Sequence, residues 1–341
     1  MAEPNTTATR LRSNHRLKIW LTYVIAAAAL VWVCYDIKWT SLVEQVQQLS
    51  WGWVALIIGF DVLSFYVQGV RWGVLLQPVA RLPYTKTTQA IYIGLFASEV
   101  LPLRAGEIIR GVLIARWVQR KFHDVLPSMA LERLFDGIWF SGAMIVTAML
   151  IDVPPQIRIG TNVVLAMSLT GIAICVWVMK RTHFAEAPPS SAAKSAPLKE
   201  RIALAVYEVR MGLKQIGTGR RFWTAFGVSG LLHVVQALAF LAVLQACSID
   251  LPLLSMIAVF LVVHLGIAIP NAPANVGTFQ LFCVLGLTFF GIDKSAAAAF
   301  SLVAFAILTI PVLFIGMAAT LQAGFMLSGV RSQLRQAEEA A

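Results

Sequence analysis

Charge is scarce in this chain: 13% of its 341 residues are Asp, Glu, Lys or Arg, against about 25% in an ordinary soluble domain. That shortage excludes a solvated surface of normal composition. Cysteine is nearly as sparse. Cys34, Cys175, Cys247 and Cys283 each lie in an apolar run at no ligand-like spacing, which argues against a zinc site or a disulfide framework and reads as small buried hydrophobes. No G-x-x-x-x-G-K-[ST] loop and no HExxH pair occurs, so neither a phosphate-cradling nucleotide loop nor that zinc geometry is encoded. The first apolar run, Leu17 to Tyr35, has no small-residue cleavage site at its end, so it reads as a span rather than a signal peptide. Acidic residues are outnumbered 17 to 27 by Lys and Arg, for a formal charge of +10. The basic residues gather in short clusters beside apolar spans, which marks topology and lipid-headgroup contact and not a nucleic-acid partner.

What is abundant is apolar sequence, 58% of the chain, much of it in runs of about 18 residues or more. The expected fold is all-α, a polytopic integral membrane protein. Residues 1–16 are polar and read as a disordered cytoplasmic tail whose Arg10, Arg12 and Arg16 set the orientation. The first membrane half spans 17–180. Within it the spacing predicts spans at about Leu17 to Tyr35, Trp51 to Leu76, Ser128 to Ile151 and Gly160 to Met179, with an interfacial helix over Trp39 to Trp51. Two shorter patterns, Thr87 to Leu101 and Glu107 to Val118, are joined by Pro102 to Gly106. The second of these covers only ~18 Å, short of the ~30 Å hydrocarbon core. Two short spans and a re-entrant hairpin both fit, and the length favours the hairpin.

A Pro/Ala/Ser linker over 181–199 divides the chain. The second half spans 200–327 and begins with an amphipathic basic pattern striped by Ile202, Val206, Val209, Leu213 and Ile216. Apolar runs follow at Phe222 to Cys247, Leu251 to Ile269, Phe279 to Gly291 and Ala296 to Leu327, the middle two joined by PNAPANVG, Pro270 to Gly277. A second re-entrant hairpin or three full spans would return the chain to a cytoplasmic tail at 328–341. Each half thus carries long spans and a hairpin with a Pro- and Gly-bearing tip, entering from opposite sides. Hydropathy alone therefore predicts two inverted-repeat halves whose broken helices meet near the midplane.

Ionisable groups inside such segments are costly and face protein or water. The densest stretch is LPLRAGEIIRG, with Arg104, Glu107 and Arg110 three residues apart and able to form a ladder once helical. The helix after Gly106 would also aim free N–H groups at the tip, where an anion is welcome. Arginine suits a phosphate there because its guanidinium forks onto two oxygens. A structural ion pair holding the loop is the other reading of the same residues. Glu132 and Asp136 share a helical face, with Arg133 able to pair with Asp136. Arg71 lies near the inner end of its span, where it can snorkel to the interface. Asp61 is deeper and needs a partner or a proton, so it is a candidate coupling group. Buried His233 and His264 read as hydrogen-bonded core. At the second tip, Asn271, Pro273, Asn275, Gly277 and Gln280 are candidate binding residues.

LP-x-R-x-GE-x-x-R from Leu101 to Arg110, ER-x-x-D from Glu132 to Asp136, and the Pro- and Gly-bearing segment from Pro273 to Gln280 resemble the flippase-like membrane domain of lysylphosphatidylglycerol synthases. The resemblance runs from about residue 17 to 327. The chain departs from that pattern near both tips: Ser98 and Glu99 stand where the family usually has Asn, and Gln280 replaces a carboxylate. No region is large enough for the synthases' aminoacyl-transfer domain, so lysyl transfer is not implied.

What the resemblance implies is lipid translocation. Together with the arginines and the basic flanks, the expectation is movement of an anionic or phosphate-linked lipid across the bacterial inner membrane, by a multi-pass protein with both termini cytoplasmic. Arg104, Glu107 and Arg110 would serve the phosphate, and Glu132, Arg133 and Asp136 an inner gate. No cofactor or metal is expected. The expected partners are the lipid and a lipid-synthesis enzyme, with the oligomeric state open. Two rivals stand beside this: a non-catalytic subunit of a lipid-synthesis complex, and an intramembrane enzyme using the Glu/Asp cluster.

Overall fold

A computed structural model describes residues 24, 26–35, 43, 46, 47, 49–101, 105–153, 155–180, 207, 210–268 and 273–324. The tails, the 181–199 linker, most of the interfacial segment and the residues Arg104 and Asn271 lie outside these. Every regular element among the described residues is helical. In chain order they are α1 (26–34), α2 (Trp51–Leu76), α3 (Tyr84–Val100), α4 (Ala105–Trp117), α5 (Phe122–Leu150), α6 (Pro155–Lys180), α7 (210–216), α8 (Arg220–Ala246), α9 (Leu253–Ala268), α10 (Thr278–Phe289) and α11 (Lys294–Gln322). A one-turn 3₁₀ segment, Pro273–Asn275, precedes α10.

Five helices, α2, α5, α6, α8 and α11, are long and apolar enough to cross a bilayer. The other two pairs are short. With 13 residues in α4 and 12 in α10, these arms rise only about 20 Å and 18 Å. Each short helix packs against its pair-mate, α3 on α4 and α9 on α10. The α3–α4 crossing is very tight: a Cβ on Gly106 would stand 1.7 Å from the Gly94 carbonyl oxygen. Only two bare backbones fit there.

Helix starts follow local chemistry. The Lys121 N–H donates to Asp124 Oδ2 at 3.2 Å, closing the first turn of α5. The Asp293 carboxylate accepts from Ser295 N at 2.9 Å and Ala296 N at 3.3 Å at the start of α11.

At the centre, α2 lies along α8. On one side of that pair α3 sits among α2, α4 and α11; on the other α9 touches α5, α8 and α10. The largest apolar cluster draws on α8 to α11, with Val259, Val263, Cys283, Leu287 and Phe300 fully enclosed. A second forms around Trp72, Ile91, Ile93, Ile109 and Ile114. Helix α6 leans mainly on α5 and shows most of its surface outward. Cys247 and Cys283 are buried free thiols, and Cys34 is a half-buried one.

Candidate functional site

The site is built where α2, α4 and α5 meet. On α5, Glu132 and Asp136 are four residues apart and present their carboxylates to one side. Arg71 of α2 reaches both. Its Nη2 lies 3.1 Å from Glu132 Oε1 and its Nε donates to the same oxygen at 3.2 Å. Its Nη1 meets Asp136 Oδ1 and donates to Ser229 Oγ of α8 at 3.2 Å. The Arg71 and Glu132 side chains are fully buried. Arg110 of α4 takes the other oxygen of Glu132, Nη2 to Oε2 at 2.9 Å, and its guanidinium lies over the Trp72 ring. Trp72 is itself fixed, donating from Nε1 to Ser128 Oγ at 3.0 Å. Glu132 is thus clamped between two arginines, with neither oxygen spare for acid–base work.

Arg133 faces the other way. Its Nη2 lies 2.9 Å from Glu107 Oε1 and its Nη1 3.5 Å from Asp136 Oδ2, and its side chain is 47% exposed. The two kinds of pair differ in energetic weight. Removing one member of a buried pair typically costs about 3–5 kcal/mol, whereas exposed pairs contribute about 0–1 kcal/mol. Arg71 and Arg110 are therefore architectural in large part, and Arg133 is the exchangeable member of the three.

The cluster borders two cavities. The smaller, about 120 Å³, is lined by Gly106, Glu107, Arg110 and Arg133 from the first half, and by Ala274 and Asn275 from the second tip. One donor there is unspent: Arg110 Nη1 is buried and lacks a partner among the described residues, in a residue only 4% exposed. The larger cavity, about 350 Å³, takes Arg133, Asp136, His233, Gln236 and His264 together with apolar Phe140, Val164, Met167, Leu232 and Leu265. In both histidines Nδ1–H donates one turn back, His233 to the Ser229 carbonyl at 2.8 Å and His264 to the Phe260 carbonyl at 3.0 Å, the local bond expected of a core histidine.

The second tip is a left-handed turn. Ala274 (φ 58°), Asn275 (φ 55°) and Gly277 (φ 81°) all have positive φ. Gly277 also packs against α1 so closely that a Cβ would fall 2.2 Å from the Ala26 carbonyl oxygen. Gln280 belongs to this turn and is 2% exposed. Its Oε1 accepts from the Gly277 N–H at 2.7 Å, as a glutamine or glutamate does in a capping box.

Asp61 stands in a third cavity of about 180 Å³ with Ser64, Glu99, Gln236, His264 and Thr309. Asp61 Oδ2 and Glu99 Oε2 are buried and have no hydrogen-bond partner among the described residues. Glu99 and Leu95 also line the smaller cavity, so the two spaces adjoin.

Among the described residues stand five helices of spanning length, two short helix pairs and a buried ion cluster at the LP-x-R-x-GE-x-x-R and ER-x-x-D segments. The family model of the lysylphosphatidylglycerol synthase TM region matches residues 19–316. The chain belongs to this family. It is a multi-pass membrane protein. A comparison with curated proteins finds no match.

In this member of the lysylphosphatidylglycerol synthase TM region family, the expected site residues divide into groups. Glu107, Arg110, Arg133 and Asn275 share the smaller cavity. Glu132 lies behind them, and Asp136 opens on the larger space. Gln280 and Gly277 form the second turn, while Pro273 begins its 3₁₀ segment. One expectation needs correction. Arg71 does not snorkel: it is fully enclosed, because Glu132, Asp136 and Ser229 satisfy it inside the protein. Arg110 lines the smaller cavity with one arm held by Glu132 and its face covered by Trp72. Glu99 was missed. Its signal was present, a carboxylate two residues before Leu101 in an otherwise apolar helix end.

Proposed function

We propose that this protein binds an anionic, phosphate-linked lipid, a phospholipid or a polyprenyl-phosphate type, and flips it across the bacterial inner membrane. Both termini would be cytoplasmic, and the two halves would be inverted repeats. The observation that carries the reading is the smaller cavity. Both hairpin tips contribute to it, and two arginines open onto it, one with a spare buried donor. A phosphate accepts such forks bidentately. Asn275 is its neutral donor on the opposite tip, and Arg104 and Asn271, which lie outside the described residues, are candidates from the sequence alone. The adjoining larger cavity, polar at Arg133 and Asp136 and apolar at Phe140, Met167 and Leu265, matches a headgroup continuing into a chain. Asp61, unpartnered beside Glu99, is the coupling candidate.

Gentle detergent purification followed by mass spectrometry identifies the bound lipid, and reconstitution into vesicles containing that lipid in fluorescent form measures flipping. An anionic phospholipid or polyprenyl phosphate is expected at one copy per site, with flipping lost in Arg133→Gln. Retention of neutral lipid alone, or flipping indifferent to Arg133, would sink the reading. A supporting subunit of a lipid-synthesis complex is the second reading, favoured by the synthase in the family's name. It predicts co-purification with a synthase and no activity alone. The cluster is poorly suited to acid–base chemistry because both Glu132 oxygens are engaged.

A further inference from the structure

Arg133 is the one arginine of the cluster that lines both the smaller and the larger cavity. Its guanidinium is shared between two carboxylates that lie on different sides. Glu107, at 2.9 Å, lines the smaller cavity, and Asp136, at 3.5 Å, lines the larger. Gln68 is the other polar side chain common to both spaces. The Glu107–Arg133 pair also joins two elements, the second arm of the first hairpin and the long span α5, on the cavity side of the buried Arg110–Glu132 pair. By contrast, Arg110 lines only the smaller cavity and Arg71 lines neither, and both are held by Glu132.

We infer that the Glu107–Arg133 ion pair is a shutter between the two cavities, and that an entering phosphate opens it by taking Glu107's place on Arg133. This deepens the lipid-flipping reading and rests on it. Arg133 offers a planar fork, and a phosphate can fill it with two parallel hydrogen bonds where Glu107 supplies one. The exchange is easy because the pair is half-exposed, so little is lost when Arg133 trades Glu107 for the phosphate. The Asp136 contact persists on the far side and keeps the guanidinium pointed at the boundary. As the headgroup passes into the larger cavity, Glu107 recaptures Arg133 and closes the path behind it. Arg133 thereby becomes the residue that selects for a headgroup carrying a phosphate, and Glu107 the residue that limits the rate.

The test uses the full chain in vesicles containing fluorescently labelled phosphatidylglycerol, with flipping read by external quenching and folding by thermal unfolding in detergent. Glu107→Gln removes the competing charge, and flipping should rise, by up to about fivefold for a half-exposed pair. Arg133→Gln should reduce flipping at least to a tenth. The swap Glu107→Arg with Arg133→Glu restores an ion pair and its thermal stability, yet should remain as slow as Arg133→Gln, because no cation then faces both cavities. A swap that recovers wild-type flipping, or a Glu107→Gln that falls in step with Arg133→Gln, overturns the shutter and makes the pair structural. Should the swap not fold, the isosteric Glu107→Gln decides alone by the direction of its change. Wild-type protein that moves no labelled lipid overturns the lipid-flipping reading itself; active wild type with a rescued swap overturns only the shutter.

Discussion

The guanidinium carbon of Arg110 lies 4.5 Å from the ring centre of Trp72. Glu132 binds the same guanidinium at its edge, so Arg110 is gripped on one face and one edge while Nη1 is left unsatisfied. Trp72→Phe keeps a ring under the cation but removes the donor to Ser128. A loss of about 1 kcal/mol is expected for that hydrogen bond, read as a modest drop in melting temperature with flipping retained. Trp72→Leu removes the ring face as well and should cost more. Equal melting temperatures for the two variants would show that the ring face contributes nothing.

Glu132 carries the largest predicted penalty. Its removal leaves Arg71 with Asp136 alone and takes away the carboxylate that holds Arg110. Glu132→Ala should cost about 3–5 kcal/mol, enough to deplete folded protein from the membrane. Glu132→Gln should also destabilise, since an amide neutralises neither arginine. Near-normal thermal stability of both variants would contradict a buried, fully engaged carboxylate.

Glycines give a paired experiment. Gly106→Ala forces a Cβ to within 1.7 Å of the Gly94 carbonyl oxygen, while Gly59 and Gly142 have nothing within 4 Å of theirs. Gly106→Ala should therefore abolish the folded protein. Gly59→Ala and Gly142→Ala should stabilise slightly, by up to about 1 kcal/mol through helix propensity. Comparable yields and melting temperatures for all three would mean that the hairpin arms do not cross as described.

Gln280 tests the second tip. Gln280→Ala deletes the acceptor for the Gly277 N–H and should cost about 0.5–2 kcal/mol, as the loss of a helix cap does. Gln280→Glu keeps the acceptor and should retain flipping if the side chain serves the turn rather than the lipid. A Gln280→Glu that folds normally but cannot flip would return Gln280 to the binding site.

Asp61 separates coupling from stability. Its Oδ2 has no partner to lose, so Asp61→Asn should leave the melting temperature unchanged. Flipping down a lipid gradient should continue, and flipping driven by an ion gradient should stop. Unaltered gradient-driven flipping would remove Asp61 from the coupling role.

Much of this fold was legible in the sequence because membrane spans are written in the longest signal a chain has. The span expected at Trp51 to Leu76 coincides with α2, and α3, α4, α8, α9 and α10 begin and end within a few residues of expectation, while α5 and α6 start earlier and α11 ends earlier. Local pairs were legible too: Arg133 and Asp136 are three apart and do meet. Pairing across helices was not. Nothing in the spacing of Arg71 says that Glu132, 61 residues away, will hold it. Its position near a span end pointed to snorkelling, and only the packing of α2 on α5 decides otherwise. Gln280 illustrates a different limit. Its residue type fits a binding group and a capping residue equally, and backbone geometry at Gly277 is what distinguishes them.

The bare-backbone crossing of Gly94 and Gly106 has a mechanical consequence. Backbone meets backbone where the two glycines cross, and that leaves α3 and α4 little slack to slide or hinge against each other there. The first hairpin must then travel as one rigid wedge, and any alternation of access has to be taken up at its outer seams. The seam with α5 carries two ion pairs, the buried Arg110–Glu132 and the half-exposed Glu107–Arg133, whereas the seam with α2 is a close fit in which a Cβ on Gly69 would meet Thr88 Oγ1 at 2.0 Å. Of those contacts, the one that can yield is the half-exposed pair of Glu107 and Arg133.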